Sequence, residues 1–324
     1  MSYTQPDLLT SEFLELSARL GNDPLQVQGP GGNTSIKGLD VMWIKASGTE
    51  LANALTQDIF VAVDRSAATK EARKESGDGS CKATVIDATV KLRPSIETTF
   101  HAVLDHSVVA HTHSIAAIAH LISPEGREAA QKKLLGLPFV LVPYAKPGLP
   151  LTQGILARVT SATQVILLQN HGLICVGATV SEVSDLLNEV EKRLTLKPDA
   201  QNYKVPPETA KEGFEWTSEG WIARDILASQ RAISGSYYPD HTVFLGPALP
   251  TTETENWPAV LQIGTGIMLR KDASSSQRAM LKCLSDVLSR VPKNWQIDPI
   301  GAAAEAELLS WDAEKYRQAM DAKA

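Results

Sequence analysis

The sequence is poor in cysteine and contains no long apolar run. Its three cysteines, Cys81, Cys175 and Cys283, are too few and too far apart for a disulfide framework or a cysteine-based zinc site. No apolar stretch approaches the roughly 18 residues of a membrane-spanning helix. The opening "MSYTQPDLLTSEFLEL" lacks the basic start and apolar middle of a signal peptide. We therefore expect a cytoplasmic protein that does not enter a membrane.

The sequence also lacks an excess of positive charge. The formal net charge is −6 and the isoelectric point is about 5.7, so neither a nucleic acid nor an anionic membrane is an expected partner. Of the 324 residues, 43% are hydrophobic, which is enough for one large domain or two medium ones with buried cores.

Short apolar segments alternate with amphipathic ones along the chain. Strands are predicted in "NTSIKG", "DVMWIKAS", "IFVAVD", "VVAHTH", "FVLVPY", "QVILLQN", "HGLICVG", "HTVFLG" and "VLQIGTGIMLR". Helices are predicted in "DLLTSEFLELSARLG", "RPSIETTFHAVLDH", "IAAIAHLI", "TVSEVSDLLNEVEKRL", "SSSQRAMLKCLSDVLSRV" and "AEAELLSWDAEKYRQAM". This alternation indicates an α/β or α+β fold. The polar segment 66–90 is predicted to be a mobile surface insertion, and 195–213 a linker or domain edge.

Two histidines stand one residue apart in "VVAHTHS". Side chains two residues apart on a strand share a face, so His111 and His113 are expected side by side. Such a pair can chelate a divalent ion, and neutral nitrogen ligands without thiolates suit Zn²⁺. Two buried histidines held by hydrogen bonds would explain the same spacing. His171, in the turn "NHG", is either a third ligand or an ordinary turn residue. Three histidines would leave one zinc position open, as in catalytic sites.

A glutamate and two small-residue loops are the other candidates. Glu97 is predicted in the first turn of the helix that leads into the histidine strand. There it is either an acid favoured by the helix dipole or a general base whose enclosure would raise its pKa. The loops "GPGGNTS" and "ASGTE" carry amide and hydroxyl donors that can hold a phosphate, or they are simple turns. Neither fits the P-loop or the dinucleotide-binding glycine pattern.

Together these segments resemble the class II (zinc) aldolase/adducin family. The matching segments occur in family order: "GGNTSIK", "KASGTEL", "PSIETTFH", "VVAHTHS", "VPYAKPG" and "LLQNHGLICVG". The closest likeness is to the aldolase half of the bifunctional rhamnulose-1-phosphate aldolase/alcohol dehydrogenases. It extends into the tail through "SYYPDHTVFLGP" and "LLSWDAEKYRQAM".

The resemblance implies a metal-dependent active site. Glu97 matches the family's catalytic acid/base. The ligands for Zn²⁺, or for another divalent metal, match three histidines: His111, His113 and His171. The phosphate-binding positions match four small residues: Asn33, Ser47, Gly48 and Ser95.

The implied reaction is retro-aldol cleavage of a ketose 1-phosphate, similar to rhamnulose or fuculose 1-phosphate, to dihydroxyacetone phosphate and an aldehyde. The implied fold is a three-layer α/β/α unit with a mainly antiparallel central sheet over residues 1–210, followed by a smaller C-terminal α/β subdomain over 211–324. The family usually assembles as a tetramer with sites at subunit interfaces, so a homo-oligomer is expected. The alternatives are a dehydratase, decarboxylase or epimerase of a sugar or sugar acid, and a non-catalytic adducin-like interaction module.

The sequence departs from the family pattern at three points, one of which is a connection from Glu97 to His111 that is shorter than in the fuculose-phosphate aldolases. Ile96 stands where the family has a second phosphate-binding serine, and no tyrosine matches the one that the fuculose-phosphate enzymes take from a neighbouring subunit. Lys37 and Lys45 flank the loops; they either compensate for the lost donor or are solvated strand residues.

The segment "GSYYPDH" in the tail concentrates polar side chains. It contains Tyr237, Tyr238, Asp240 and His241, predicted to lie in a turn before a strand. These side chains are expected either to reach a neighbouring pocket or to form a local turn network.

Overall fold

The protein, seen as a computed structural model, is described for residues 4–200, 202–206 and 208–322. The strands are β1 Asn33–Lys37, β2 Val41–Lys45, β3 Phe60–Asp64, β4 Val108–Thr112, β5 Phe139–Val142, β6 Val165–Leu168, β7 Gly172–Gly177, β8 Phe214–Trp216, β9 Ala259–Gln262 and β10 Gly266–Arg270. The helices are α1 Ser11–Asn22, α2 Arg65–Ala72, α3 Thr98–Val103, α4 Ile115–Leu121, α5 Pro124–Lys133, α6 Leu149–Leu156, α7 Val180–Leu194, α8 Trp221–Arg224, α9 Ile226–Ile233, α10 Pro239–Leu245, α11 Ser275–Arg290, α12 Ala302–Ser310 and α13 Asp312–Asp321.

Seven strands form the main sheet in the order β3-β2-β1-β4-β7-β6-β5. Every neighbouring pair is antiparallel except β5 and β6, which run parallel. Residues 38–40 connect β1 to the antiparallel β2, and the NHG turn joins β6 to β7 in a hairpin. Asn170 in that hairpin has φ 53°, a conformation that asparagine tolerates better than most residues.

Helices cover both faces of this sheet. On one face α1, α4, α5 and α7 contribute to a core that includes Phe13, Leu121 and Leu187. On the other face α3 and α6 pack Phe100 and Ile155 against the strands, and α2 packs beside β2 and β3. Successive residues of a strand point to opposite faces, so the two cores draw on alternate strand positions. The fold is therefore the expected three-layer α/β/α arrangement with a mainly antiparallel sheet.

The C-terminal region has a separate sheet with the strand order β8-β10-β9. Its helix α11 packs against one side of α4, where Ile115, Ile118 and Ile122 share a core with Phe244 and Leu284. All seven residues of α4 are buried, because the helix lies between the main sheet and the C-terminal region. The division of the chain at residues 210 and 211 stays a prediction; the predicted linker around it includes positions 201 and 207, which lie outside the described residues.

Two C-terminal elements differ from their predictions. The segment "HTVFLG" was expected to be a strand, but it lies in α10, with Pro239 at the start of the helix. Proline has the φ that the first helical turn requires, and a short apolar run cannot separate strand from helix. The predicted single helix over 304–320 is broken at Trp311, whose φ of −77° and ψ of 126° are extended. The predicted strand over 260–270 is the β9–β10 hairpin.

The segment 66–90 was predicted to be a mobile insertion, but part of it is anchored. It includes most of α2, and Glu71 on that helix is buried. The Glu71 carboxylate accepts hydrogen bonds from the backbone N–H groups of Gly79 and Cys81, both at 3.0 Å. These bonds fix the returning chain against the helix.

None of the helices in the described ranges is both long and apolar enough to cross a membrane.

Candidate active site

The strand order brings the three predicted histidines together. β4 ends beside the start of β7, and Thr112 lies opposite Leu173. The β6–β7 turn that carries His171 is therefore adjacent to the end of β4, which carries His111 and His113. On the other side of β4 the antiparallel β1 begins at Asn33, directly opposite His111. Strand ends that meet at one edge of a sheet give short side chains access to a common point.

The histidine rings form a compact, buried triplet. One ligand nitrogen from each of His111, His113 and His171 lies within 4.8 Å of the other two. His111 donates from Nδ1 to the Leu173 carbonyl at 3.0 Å, which leaves its Nε2 lone pair free. Burial lowers the pKa of His111 and lowers that of His171 to about 3. Both rings are therefore neutral near pH 7 and can act as ligands.

Glu97 faces two of these histidines. Its Oε2 lies 3.4 Å from His111 Nε2, and its Oε1 lies 3.5 Å from His171 Nε2. Within the described chain, Glu97 Oε1 and His111 Nε2 have no hydrogen-bond partner. A buried acceptor and a buried nitrogen without partners are costly unless a ligand satisfies them. A ligand bound between the carboxylate and the imidazoles would satisfy these atoms.

Two expectations for Glu97 need correction. Helix α3 begins at Thr98, so Glu97 is the residue before the helix, and its carboxylate does not cap it. Burial raises the pKa of Glu97, but His111, His171 and the Asn33 amide together outweigh burial and hold the pKa below its usual value. The predicted rise is therefore wrong for the protein alone, because enclosure was considered without these neighbours.

A second layer of hydrogen bonds holds the glutamate. Asn33 donates to Glu97 Oε2 at 2.8 Å and to Ser95 Oγ at 3.2 Å. Its side-chain oxygen accepts a hydrogen bond from Nε2 of His101, whose Nδ1 accepts one from the Ser35 hydroxyl at 2.7 Å. Asn33 therefore orients Glu97. Because its side-chain amide already makes hydrogen bonds within the protein, it is a poor candidate for binding phosphate.

The predicted residues surround one cavity. Its empty volume is about 370 Å³. Seven of the eight predicted site residues line it: Asn33, Ser47, Gly48, Ser95, Glu97, His113 and His171. His111, the eighth, contacts Glu97 and both other histidines from behind the cavity wall. Ile96 also lines the cavity, so the departure from the family pattern lies at the site itself.

Both flanking lysines are buried, so the prediction of solvated strand residues is wrong for them. Lys45 lines the cavity, and its ammonium donates to the carbonyls of Pro30 at 2.8 Å and Thr49 at 2.6 Å. Burial lowers the pKa of Lys45 to about 7. Lys37 instead donates to the carbonyls of His101 and Leu104, behind the glutamate layer.

The C-terminal region supplies two further residues to the cavity wall. Asp240 Oδ2 lies 3.3 Å from His113 Nδ1, and Arg317 binds both carboxylate oxygens of Asp240 at 2.8 and 3.1 Å. Burial raises the pKa of Asp240, but Arg317 and His113 outweigh burial and hold the pKa well below its usual range. Asp240 was singled out in the sequence as able to reach a pocket. The pocket belongs to its own chain.

Arg317 was not predicted. It lies in α13, 77 positions from Asp240, and arginine in a charged amphipathic helix normally faces solvent. No local sequence pattern indicates this role, because only the packing of α13 over the cavity brings the two residues together. Tyr237, Tyr238 and His241, the other polar residues of the tail segment, are buried in the C-terminal core.

Known proteins are similar to this chain over its N-terminal part. Residues 11–197 match the model of the class II aldolase and adducin N-terminal domain. The chain is 31% identical over 213 residues to an uncharacterised oxidoreductase, YuxG, of Bacillus subtilis (strain 168), a match that covers 59% of this chain and 29% of that protein. The chain thus spans less than a third of that relative's length.

Two other relatives are covered more completely. A 5-methylthioribulose-1-phosphate/5-deoxyribulose-1-phosphate aldolase of Escherichia coli O45:K1 (strain S88 / ExPEC) is 26% identical over 184 residues, which cover 55% of this chain and 79% of that protein. The structure of the N-terminal class II aldolase domain of a conserved Thermoplasma acidophilum protein superposes with a TM-score of 0.51 and 26% identity, over 60% of this chain and 94% of that one. This chain belongs to the class II aldolase and adducin N-terminal domain family.

Proposed function

We propose that the protein is a divalent-metal-dependent carbon–carbon lyase that cleaves a ketose 1-phosphate. One observation carries the proposal. Three buried histidines converge within 4.8 Å beside a buried carboxylate, and His111 Nε2 and Glu97 Oε1 have no hydrogen-bond partner among the described residues. A purely structural cluster would satisfy these atoms internally.

The residues fit a zinc ion. Three neutral imidazoles with one open position are the donor set of a catalytic rather than a structural zinc site. Zinc binds histidine nitrogen at about 2.0–2.1 Å, and the three ligand nitrogens already lie within 4.8 Å of one another. His111, His113 and His171 would hold the ion. When bound, it would supply Lewis-acid stabilisation of negative charge developing on a substrate oxygen.

Glu97 is the proposed proton carrier. Retro-aldol cleavage breaks one carbon–carbon bond; the carbon retained in the ketone fragment gains a proton, and the hydroxyl that becomes the aldehyde loses one. The Oε1 atom of Glu97 is free of hydrogen bonds within the described chain, while Asn33 holds Oε2. One oxygen is thus fixed and the other is available to carry the proton.

The rest of the cavity suits the phosphate end of the substrate. The Ser47 backbone N–H is committed to the Arg93 carbonyl, so its hydroxyl is the group left to contact a substrate. Gly48, Ser95 and Lys45 line the same cavity. The proposed products are dihydroxyacetone phosphate and an aldehyde. The tetramer, the cytoplasmic location and zinc as the physiological metal stay predictions.

Product analysis tests this proposal. Zinc-loaded enzyme is incubated with a panel of ketose 1-phosphates and sugar acids, and products are identified by mass spectrometry with a chelated enzyme sample as control. We expect dihydroxyacetone phosphate plus an aldehyde from at least one ketose 1-phosphate, and none after chelation. Loss of water, loss of carbon dioxide or inversion without cleavage would instead support a dehydratase, decarboxylase or epimerase. A protein that retains no metal and converts nothing would be an interaction module.

Replacing Ser47 with Ala tests phosphate recognition. If the hydroxyl binds phosphate, Ser47→Ala should raise KM for the phosphorylated substrate by about tenfold, the cost of one charge-assisted hydrogen bond, with metal content unchanged. Ser310→Ala, at an exposed position on α12, is the matched control. If the wild-type enzyme had the same kcat/KM for a substrate with and without its phosphate, the cavity would not recognise the phosphate group.

A further inference from the structure

We propose that the C-terminal region contributes two residues that position a metal ligand of the active site. Asp240 positions His113 for metal binding, and Arg317 in α13 holds Asp240 in place. This inference rests on the proposed metal site and assigns two positioning residues to it. Both residues lie outside 11–197, the part of the chain that matches the family model.

The contact between Asp240 and His113 is short and enclosed. Asp240 lies in the first turn of α10, and its Oδ2 is 3.3 Å from His113 Nδ1. Both side chains are almost completely buried. Gly31 packs against the contact: a Cβ at this position would lie 2.7 Å from His113 Nδ1 and 2.9 Å from Asp240 Oδ2. The absence of a side chain at Gly31 therefore leaves room for the carboxylate to reach the imidazole.

Arg317 fixes the carboxylate from behind. Its guanidinium donates to Asp240 Oδ1 at 2.8 Å and to Oδ2 at 3.1 Å, a bidentate arrangement that sets the plane of the carboxylate as well as its position. It also donates to Glu314 Oε2 at 2.9 Å. All three charged groups are buried, an arrangement that contributes little net stability. A role in orienting His113 would explain why the protein keeps this buried cluster of charges.

The chemical consequence concerns the ring of His113. An acceptor at Nδ1 keeps the proton on that nitrogen and presents the Nε2 lone pair, and it restrains ring rotation. His111 is oriented in the same way, with the Leu173 carbonyl as the acceptor at 3.0 Å. Two of the three proposed ligands thus have an oriented Nδ1. One acceptor is backbone of the main sheet, and the other is a carboxylate delivered by the C-terminal region.

The experiment uses the full chain in four variants: Asp240→Asn, Arg317→Lys, His113→Ala and the control Lys315→Met. Lys315 is exposed on the same helix as Arg317. Asp240→Asn removes the negative charge of the carboxylate but leaves Arg317 paired with Glu314. Arg317→Lys keeps the positive charge but removes the bidentate pair of hydrogen bonds to Asp240. The readouts are the zinc dissociation constant, from chelator competition, and the unfolding temperature of the metal-free protein.

We expect Asp240→Asn and Arg317→Lys to weaken zinc binding by about 10–100-fold, the usual cost of losing such an outer contact, with Lys315→Met unchanged. The metal-free Arg317→Lys protein should unfold near the wild-type temperature. Wild-type affinity in both variants, with binding lost in His113→Ala, would overturn the inference and leave the metal site intact. Weaker binding only in Asp240→Asn, together with a lower unfolding temperature, would make Asp240 structural and also overturn it. A wild-type protein that binds no zinc would overturn the proposed metal site itself.

Discussion

Replacing Glu97 with Gln is expected to lower turnover by about 10²–10⁴-fold, the usual contribution of a positioned acid or base. The substitution keeps the size of the side chain, and its amide oxygen can still accept the hydrogen bond that Asn33 makes to Oε2. It removes the carboxylate that would carry the proton. Metal content should remain at the wild-type level, because the histidines and not Glu97 are the proposed ligands.

The Glu97→Gln experiment needs a control variant that loses a carboxylate elsewhere and keeps the fold. Glu75→Gln removes an exposed carboxylate and should leave turnover unchanged. Turnover and metal content are measured on the same preparations, by initial rates and elemental analysis. Near wild-type turnover in Glu97→Gln would reduce this residue to a buried acid that only supports the packing of the histidines.

Replacing His113 with Ala is expected to abolish metal retention and activity. The remaining two histidines leave an ion with too few protein ligands for a stable catalytic site, which uses three. The fold should largely persist, since His113 follows β4 rather than lying within its hydrogen-bonded core. The expected metal content, measured by elemental analysis after gel filtration, falls from about one ion per chain to almost none.

His106→Ala is the matched control for that experiment. His106 lies half-exposed just before β4 and outside the histidine triplet, so this variant should keep both metal and activity. Full occupancy in His113→Ala, with the ion shown to bind at the wild-type affinity, would rule out the proposed ligand set.

Much of the main sheet could be predicted because its strands and turns are indicated by residues close together in the sequence. The short apolar run before His111 predicts β4, and the Ser114 side chain caps α4 by accepting a hydrogen bond from the Ala117 N–H. The turn at Asn170 set the β6–β7 hairpin and hence the position of His171. The i, i+2 spacing placed His111 and His113 on one face. Spacing therefore places two of the candidate side chains next to each other, whereas the role of His171 as a third ligand is implied by the family resemblance.

The remaining features depend on contacts between distant segments. The Asp240–Arg317 pair joins α10 to α13, and neither helix carries a signal for the other. The lowered pKa of Glu97 depends on four neighbours from other elements, so burial alone predicts the wrong direction. The burial of Lys45 likewise reflects the carbonyls that surround it, since lysine on a short strand is normally solvated.

Hydrogen exchange of dihydroxyacetone phosphate in D₂O tests the proposed chemistry without knowledge of the aldehyde. The reverse aldol reaction must remove one hydrogen from the hydroxymethyl carbon of this compound, so the metal-loaded wild-type enzyme should exchange that hydrogen for deuterium. Proton NMR should show loss of one hydrogen at that carbon. Exchange should stop after chelation and should slow by about 10²–10⁴-fold in Glu97→Gln. No exchange by fully metal-loaded enzyme, or exchange at the same rate in Glu97→Gln, would contradict a metal-dependent aldolase in which Glu97 carries the proton.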